Sequence, residues 1–149
     1  MWANDAVESG LSPDGILVAR SNTPDLVGRV AMYVGHPHGV VASDLTIRIR
    51  PKNGLKPQFL TAYLSFLYVS GHWRERAGGA SGSMKKITRN QIERQEVPAP
   101  TIADQQRILE SLGKQMATVE RAHKSLEGQL TEINTLPAAL LRRGFSGEL

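Results

Sequence analysis

A stripe of apolar side chains with heptad spacing, in the last third of the sequence, constrains the fold more than any other feature. Its successive members are separated by 3, 4, 3, 7, 4, 3 and 7 residues. They are Leu109, Leu112, Met116, Val119, Leu126, Leu130, Ile133 and Leu140. Alternation of three and four residues is typical of a coiled-coil seam, so the stripe predicts a long helix that packs against another helix. His123 and Pro137 fill two further positions of the seam, which is imperfect at both.

The long helix is predicted from about residue 102 to about residue 136, with Thr101 as its N-cap and Asp104 supporting that start. At ~1.5 Å per residue it would reach roughly 50 Å, too far to fold back on a small domain. No second segment of the sequence matches this length. We therefore expect the partner helix on another polypeptide or in a missing part of this one. Pro137 is predicted to interrupt or restart the helix, and Gly144 to close a final short helix.

Composition excludes several classes of protein. The 149 residues are 40% hydrophobic and contain no run of 18 apolar residues, so no membrane segment is predicted. The first residues lack the basic and apolar regions of a signal peptide. The absence of cysteine excludes disulfides, thiolate zinc sites and a cysteine nucleophile, and it fits a reducing compartment, with the cytoplasm as the default localisation. The net charge of +4 favours an anionic partner only modestly.

Short runs rich in Val, Ile and Leu, separated by glycine and proline, predict strands in the first half of the chain. These strands cover residues 16–19, 29–34 and 45–50. Apolar residues at intervals of three and four then predict an amphipathic helix of roughly 16 residues that starts near Pro57. A short helix over residues 87–92 is predicted to be opened by Thr88 or Asn90.

The sequence pattern changes at the proline-rich segment 98–100. Mixed strands and helices precede it, and the helical seam follows it. The sequence therefore predicts an α+β fold, with a small mixed domain over residues 1–100 and a long helical spacer with a C-terminal tail over residues 101–149.

A basic segment surrounds the small-residue loop 78–83. Glycine and serine allow backbone amides and hydroxyls to approach a phosphate oxygen, and lysines supply charge that releases counterions from DNA. The candidate contacts are Ser81, Ser83, Lys85, Lys86 and Arg89. The alternative is a solvated loop whose lysines contact only water.

A second candidate lies at the end of the first predicted strand, in the run Arg20, Ser21, Asn22 and Thr23. Arginine can bind guanine and asparagine can bind adenine through paired hydrogen bonds. The same four residues also form an ordinary polar turn, which the pattern alone favours.

Other polar residues predict no catalytic site. The pair His36 and His38 flanks a proline and lacks a nearby third ligand, so a turn is favoured and no metal is assigned. Asp14, Asp44 and the serines form no arrangement of nucleophile and base, and no fingerprint for a nucleotide or methyl-donor cofactor is present. His123 is either a pH-sensitive element of the seam or, as the pattern favours, an accommodated histidine at the core edge.

Five strings of residues, in a fixed order, carry a family resemblance. They are GILVARSNTP at 15–24, LVGR at 26–29, GSMKKIT at 82–88, VPAP at 97–100 with QQRI at 105–108, and LPAALLRRGFSGEL at 136–149. In content and order these strings resemble the specificity subunit of type I restriction-modification systems. The resemblance covers nearly the whole chain from about residue 11, and it implies a DNA target-recognition domain followed by a helical spacer.

The resemblance also implies partners. These are double-stranded DNA, the modification (methyltransferase) subunit, the restriction subunit through the complex, and another copy or half of a specificity subunit. Methylation, ATP hydrolysis and cleavage would reside in partner subunits, so the chain itself is expected to be non-catalytic and to hold no cofactor. Compared with a full recognition domain, few residues precede segment 13–15, so we expect a fragment, a split subunit or a degenerate half. The alternative function is a coiled-coil interaction module or remnant that no longer binds DNA.

Overall fold

A computed structural model describes residues 10–52, 54–79 and 83–147 of the chain. Its elements confirm the α+β class. In chain order they are β1 (Ile16–Ala19), β2 (Ser21–Asn22), β3 (Val30–Met32), β4 (Thr46–Ile49), α1 (Pro57–Val69), α2 (His72–Arg76), β5 (Lys85–Lys86), α3 (Arg89–Glu93) and α4 (Ile102–Ser146). Residues up to 109 form one compact unit and residues from 110 form a second. Among the described helices, none combines the length and apolarity that crossing a membrane requires.

The core sheet has three antiparallel strands in the order β3, β1, β4. Val18 of the central strand lies opposite Val30 on one side and Ile47 on the other. Along β1 and β4 every second side chain is buried, because successive side chains of a strand point to opposite faces. The three predicted strands are confirmed, although β3 and β4 are shorter than their apolar runs.

Helix α1 covers the core and begins, as predicted, at Pro57. Proline is suited to the first helical position because the missing N–H would have no partner there. Its buried side chains are Phe59, Leu60, Leu64 and Leu67. The helix has 13 residues, fewer than the predicted 16, because Gly71 adopts a left-handed conformation with φ of 81° and starts α2.

Helix α2 was not predicted, and its Trp73 is one of the most buried side chains, with 1% exposed. Gly28 lies directly against this ring in the turn between β2 and β3. A Cβ atom placed on Gly28 would lie 2.5 Å from the Cβ of Trp73, and the φ of Gly28 is 83°. Only glycine suits this position, because both the conformation and the contact exclude a side chain.

The start of α4 confirms the predicted cap. The Asp104 N–H donates to Thr101 Oγ1 at 3.2 Å, and the Thr101 hydroxyl donates to Asp104 Oδ2 at 2.7 Å. The hydrogen bond from Thr101 and the neighbouring Arg107 lower the pKa of Asp104. The bond from the Asp104 N–H satisfies one of the backbone donors that the first turn of a helix leaves without an intrahelical partner.

The prediction that Pro137 interrupts the helix is wrong. Helix α4 continues through Pro137 and Gly144 and ends at Ser146. Gly147 follows with φ of 77°, the conformation in which helices commonly end. Proline removes one backbone donor, and the next four residues, two alanines and two leucines, have high helix propensity. One lost hydrogen bond in a helix of 45 residues is a local defect, so the helix is not divided.

Candidate nucleic-acid interface

The two candidate DNA segments, separated in sequence, form one short antiparallel ribbon. In this ribbon, β2 pairs with β5, so that Ser21 lies opposite Lys86 and Asn22 lies opposite Lys85. Just outside the paired residues, the Ile87 N–H donates to the Arg20 carbonyl at 2.8 Å. The sequence predicted neither strand, because two residues are too few to show an alternating pattern.

A third segment extends the ribbon through Gly78. The Gly78 N–H donates to the Lys86 carbonyl at 3.0 Å, and the Lys86 N–H donates to the Gly78 carbonyl at 2.7 Å. The sheet-like layer therefore contains β2, β5 and Gly78, which lies two residues after the end of α2. We call these residues, 20–22, 78 and 85–87, the basic ribbon.

Exposure separates the candidate residues of the first strand. Arg20 and Thr23 are exposed, and Asn22 is half-buried. Asn22 Oδ1 accepts a hydrogen bond from the Thr23 N–H at 2.9 Å, which holds the amide in a local turn. Ser21 is only 8% exposed, so its hydroxyl does not face a duplex in this conformation.

The lysines of the second strand lie at the surface. Lys86 is exposed and Lys85 is half-buried, while the buried Ile87 anchors the end of the strand in the core. Within the described ranges, neither lysine forms an ion pair with a carboxylate. In contrast, Arg74 lies 3.7 Å from Asp25. Charge that is not paired within the protein is the kind that binds phosphate.

The remaining candidates for DNA contact flank the ribbon. Arg89 is exposed in the first turn of α3, and Ser83 is exposed in the turn before β5. Ser81 lies outside the described residues.

The rings of His36 and His38 lie 4.6 Å apart, edge to face, and the described part of the chain contains no group of three or more residues that could hold a metal ion.

Sequence reasoning missed Gln91, which connects the elements around the ribbon. Its side-chain Oε1 accepts a hydrogen bond from the Thr88 backbone N–H at 2.7 Å, and the Gln91 backbone N–H donates to Thr88 Oγ1 at 3.2 Å. These bonds form a capping box at the start of α3, confirming Thr88 rather than Asn90 as the cap. The Gln91 Nε2 also donates to the Arg76 carbonyl at 2.7 Å. The capping spacing from Thr88 was a signal that could have identified Gln91.

The second unit carries the predicted seam. Seven of its apolar side chains are between 42% and 65% exposed, namely Leu112, Met116, Val119, Leu126, Leu130, Ile133 and Leu140. Leu109 is half-buried in the first unit. His123 Nδ1 lies 3.6 Å from Glu127 Oε1, one helical turn away. A regular row of exposed apolar side chains on one helix provides the surface that coiled-coil packing requires.

Two comparisons with known proteins bear on this arrangement. The sequence model of the family described as the type I restriction modification DNA specificity domain matches residues 14–131. The chain is also 27% identical, over 141 residues, to the specificity subunit of the type I restriction enzyme StySPI of Salmonella potsdam. This similarity covers 93% of the chain and 30% of that subunit. The chain thus spans less than a third of the length of this curated relative.

Proposed function

The chain belongs to the type I restriction modification DNA specificity family, and we propose that it acts as a DNA-recognition and scaffold part of such a complex. In this proposal the basic ribbon contacts double-stranded DNA and helix α4 docks a modification subunit. Methylation, ATP hydrolysis and cleavage belong to partner subunits, and this chain contributes no catalytic group and no cofactor of its own.

The observation that carries the DNA proposal is the pairing of β2 with β5. It places Lys85 and Lys86 beside the backbone of Asn22 and Ser21, so that positive charge and the side chains proposed to read bases lie on one ribbon. Lysines bind phosphates and position a protein on a duplex, whereas side chains that reach base edges provide sequence specificity. Family membership and a net charge of +4 support the same function.

Two residues of the ribbon's first strand are proposed to read bases. Arg20 is exposed, and its guanidinium has the geometry to donate two hydrogen bonds to guanine. The Asn22 amide keeps its two N–H donors, since its hydrogen bond to the Thr23 N–H uses only the carbonyl oxygen. Thr23 lies beside them as an exposed hydroxyl. We leave Ser21 out of the contact set because it is buried.

Helix α4 is proposed to dock a modification subunit through the exposed seam. Exposed leucine, valine and isoleucine at heptad spacing lose contact with water when a second helix packs on them, which stabilises the pair. The restriction subunit would join through the complex, and another copy or half of a specificity subunit is a further candidate for the same seam.

A second function is a coiled-coil interaction module that no longer binds DNA. The exposed seam favours it as much as it favours the first function, because both require helix packing. Binding of a labelled duplex by the modification subunit, measured with and without this chain, separates them. The first function predicts that the chain raises affinity for DNA on assembly. Assembly without a gain in affinity would favour the second.

A further inference from the structure

One side chain joins both ends of the segment that connects α2 to α3. The Gln91 Nε2 donates to the Arg76 carbonyl, at the last residue of α2, over 2.7 Å. The Gln91 Oε1 accepts from the Thr88 N–H at 2.7 Å and from the Thr88 hydroxyl at 2.9 Å. A donor and an acceptor of the same amide thus hold the two ends together, which neither a purely donating nor a purely accepting side chain could do.

The residues held between these ends include the lysines of the basic ribbon. Gly78 follows Arg76 by two residues, Lys86 precedes Thr88 by two, and the two backbones exchange a pair of hydrogen bonds at 3.0 and 2.7 Å. The pairing of β2 with β5 covers only two residues on each strand. Pairing as short as this is marginal without further contacts, so its register depends on what fixes the strand ends.

We infer that Gln91 is a positioning residue for DNA binding, which holds Lys85 and Lys86 in register with Arg20 and Asn22. This inference rests on the proposed function, because it assumes that the basic ribbon contacts DNA. Gln91 itself is half-buried in α3 and acts through backbone groups. Its contribution is to keep the lysine side of the ribbon fixed before DNA arrives, which reduces the ordering that binding would otherwise require.

The capping box explains why glutamine differs from glutamate at this position. Glutamate caps a helix as well as glutamine does, since the box needs only an acceptor oxygen. The contact to the Arg76 carbonyl needs the amide donor, and a carboxylate would place an oxygen against that carbonyl. Gln91→Glu therefore keeps the cap of α3 and removes the link to α2.

The test measures amide hydrogen exchange in the full chain and DNA affinity in the complex assembled with the modification subunit. Gln91→Glu is expected to speed exchange of the Gly78 and Lys86 amides about tenfold, the effect of losing roughly one hydrogen bond. It should also weaken DNA binding several-fold. Gln95→Glu is the control, because it makes the same charge change where the amide donates only to the adjacent Glu96 carbonyl. The control should leave both measurements at their wild-type values.

A second variant keeps the test valid if Gln91→Glu does not fold. Gln91→Asn keeps the amide and the charge but is one methylene shorter, so it cannot reach both Arg76 and Thr88, and it should also speed exchange of the same amides. Unchanged exchange at Gly78 and Lys86 in the folded variants would overturn the positioning role. Faster exchange with unchanged DNA affinity would show that Gln91 holds the ribbon without contributing to DNA binding, which overturns its positioning role. Failure of the proposed function itself would appear separately, as unchanged DNA affinity after Lys85→Ala and Lys86→Ala.

Discussion

The side chain of Gln105 accepts a hydrogen bond from the backbone N–H of Lys56 at 2.8 Å, joining the first turns of α4 to the start of α1. Gln105 is fully buried, and its Nε2 donates to the Gly54 and Pro100 carbonyls at 2.7 and 2.9 Å. Buried amides are stabilising only when their donors and acceptors are paired, and here three bonds meet that condition. The first compact unit, residues up to 109, which we call the globular unit, thereby holds the beginning of the long helix.

Gln105→Ala should destabilise the globular unit by about 2–4 kcal/mol, because it leaves buried backbone groups without partners and creates a cavity. Chemical denaturation of the full chain, followed by tryptophan fluorescence, measures this loss. Gln115→Ala changes the same residue type at an exposed position of α4 and should shift stability by less than about 0.5 kcal/mol. Equal effects of the two substitutions would show that the contacts of Gln105 contribute little.

Gly28→Ala should destabilise the fold by more than about 2 kcal/mol. The new Cβ would lie within 2.6 Å of three atoms of Trp73, and the φ of 83° is unfavourable for alanine. Gly71→Ala is the matched control, since Gly71 has nearly the same φ, 81°, but open space around its Cβ position. It should cost only the conformational strain, about 1 kcal/mol. The difference in unfolding midpoint between the two variants isolates the contact with Trp73.

Thr101→Ala should raise the pKa of Asp104. The Thr101 hydroxyl hydrogen bond is the main cause of the lowered pKa, with Arg107 second, so its removal moves the value back toward 3.8. A lowered folded pKa means that ionised Asp104 stabilises the start of α4 above about pH 4, and that this contribution is lost as the pH falls through the folded value. Carboxyl carbon chemical shifts, followed in an acid titration, give the pKa directly. An unchanged value in the variant would contradict this cause.

Leu126→Lys together with Leu130→Lys should abolish co-purification with the modification subunit. Both leucines are exposed members of the seam, and two charges there would be buried on helix pairing. The globular unit should keep its unfolding transition, because these residues lie in the second unit. Ser125→Lys with Thr131→Lys adds the same charge outside the seam positions and should leave assembly intact. Wild-type assembly of the double leucine variant would contradict docking through the seam.

The sequence predicted those elements whose signals are local. Strand β1 is a continuous apolar run, β4 alternates apolar and polar residues, α1 has an apolar face, and Thr101 and Asp104 lie three residues apart at a helix start. The heptad spacing likewise predicted α4. In each case neighbouring residues carry the periodicity or the cap that fixes the structure.

The parts that were missed depend on contacts between distant segments. The pairing of β2 with β5 joins residues more than 60 positions apart, and no pattern within either strand specifies it. The contact of Gln91 with the Arg76 carbonyl and the contacts of Gln105 involve backbone groups of distant segments, which carry no sequence signal. Lys85, Lys86 and Arg20 could be selected as candidates from their chemistry, but only the fold places them on one ribbon. Pro137 was overinterpreted, because a single missing donor does not end a long helix.

The most direct test of the central claim is the salt dependence of DNA binding after Lys85→Ala and Lys86→Ala in the complex assembled with the modification subunit. Lys114→Ala with Lys124→Ala removes the same charge from exposed positions of α4 and should leave binding unchanged. If the ribbon lysines bind phosphate, the variant with both Lys85→Ala and Lys86→Ala should lose affinity about equally for target and non-target duplexes. The plot of log affinity against log salt should also become shallower, with the magnitude of its slope smaller by about 0.9 per lost contact, or about 1.8 for two. A wild-type slope, or a loss of affinity for the target alone, would contradict the phosphate role of Lys85 and Lys86.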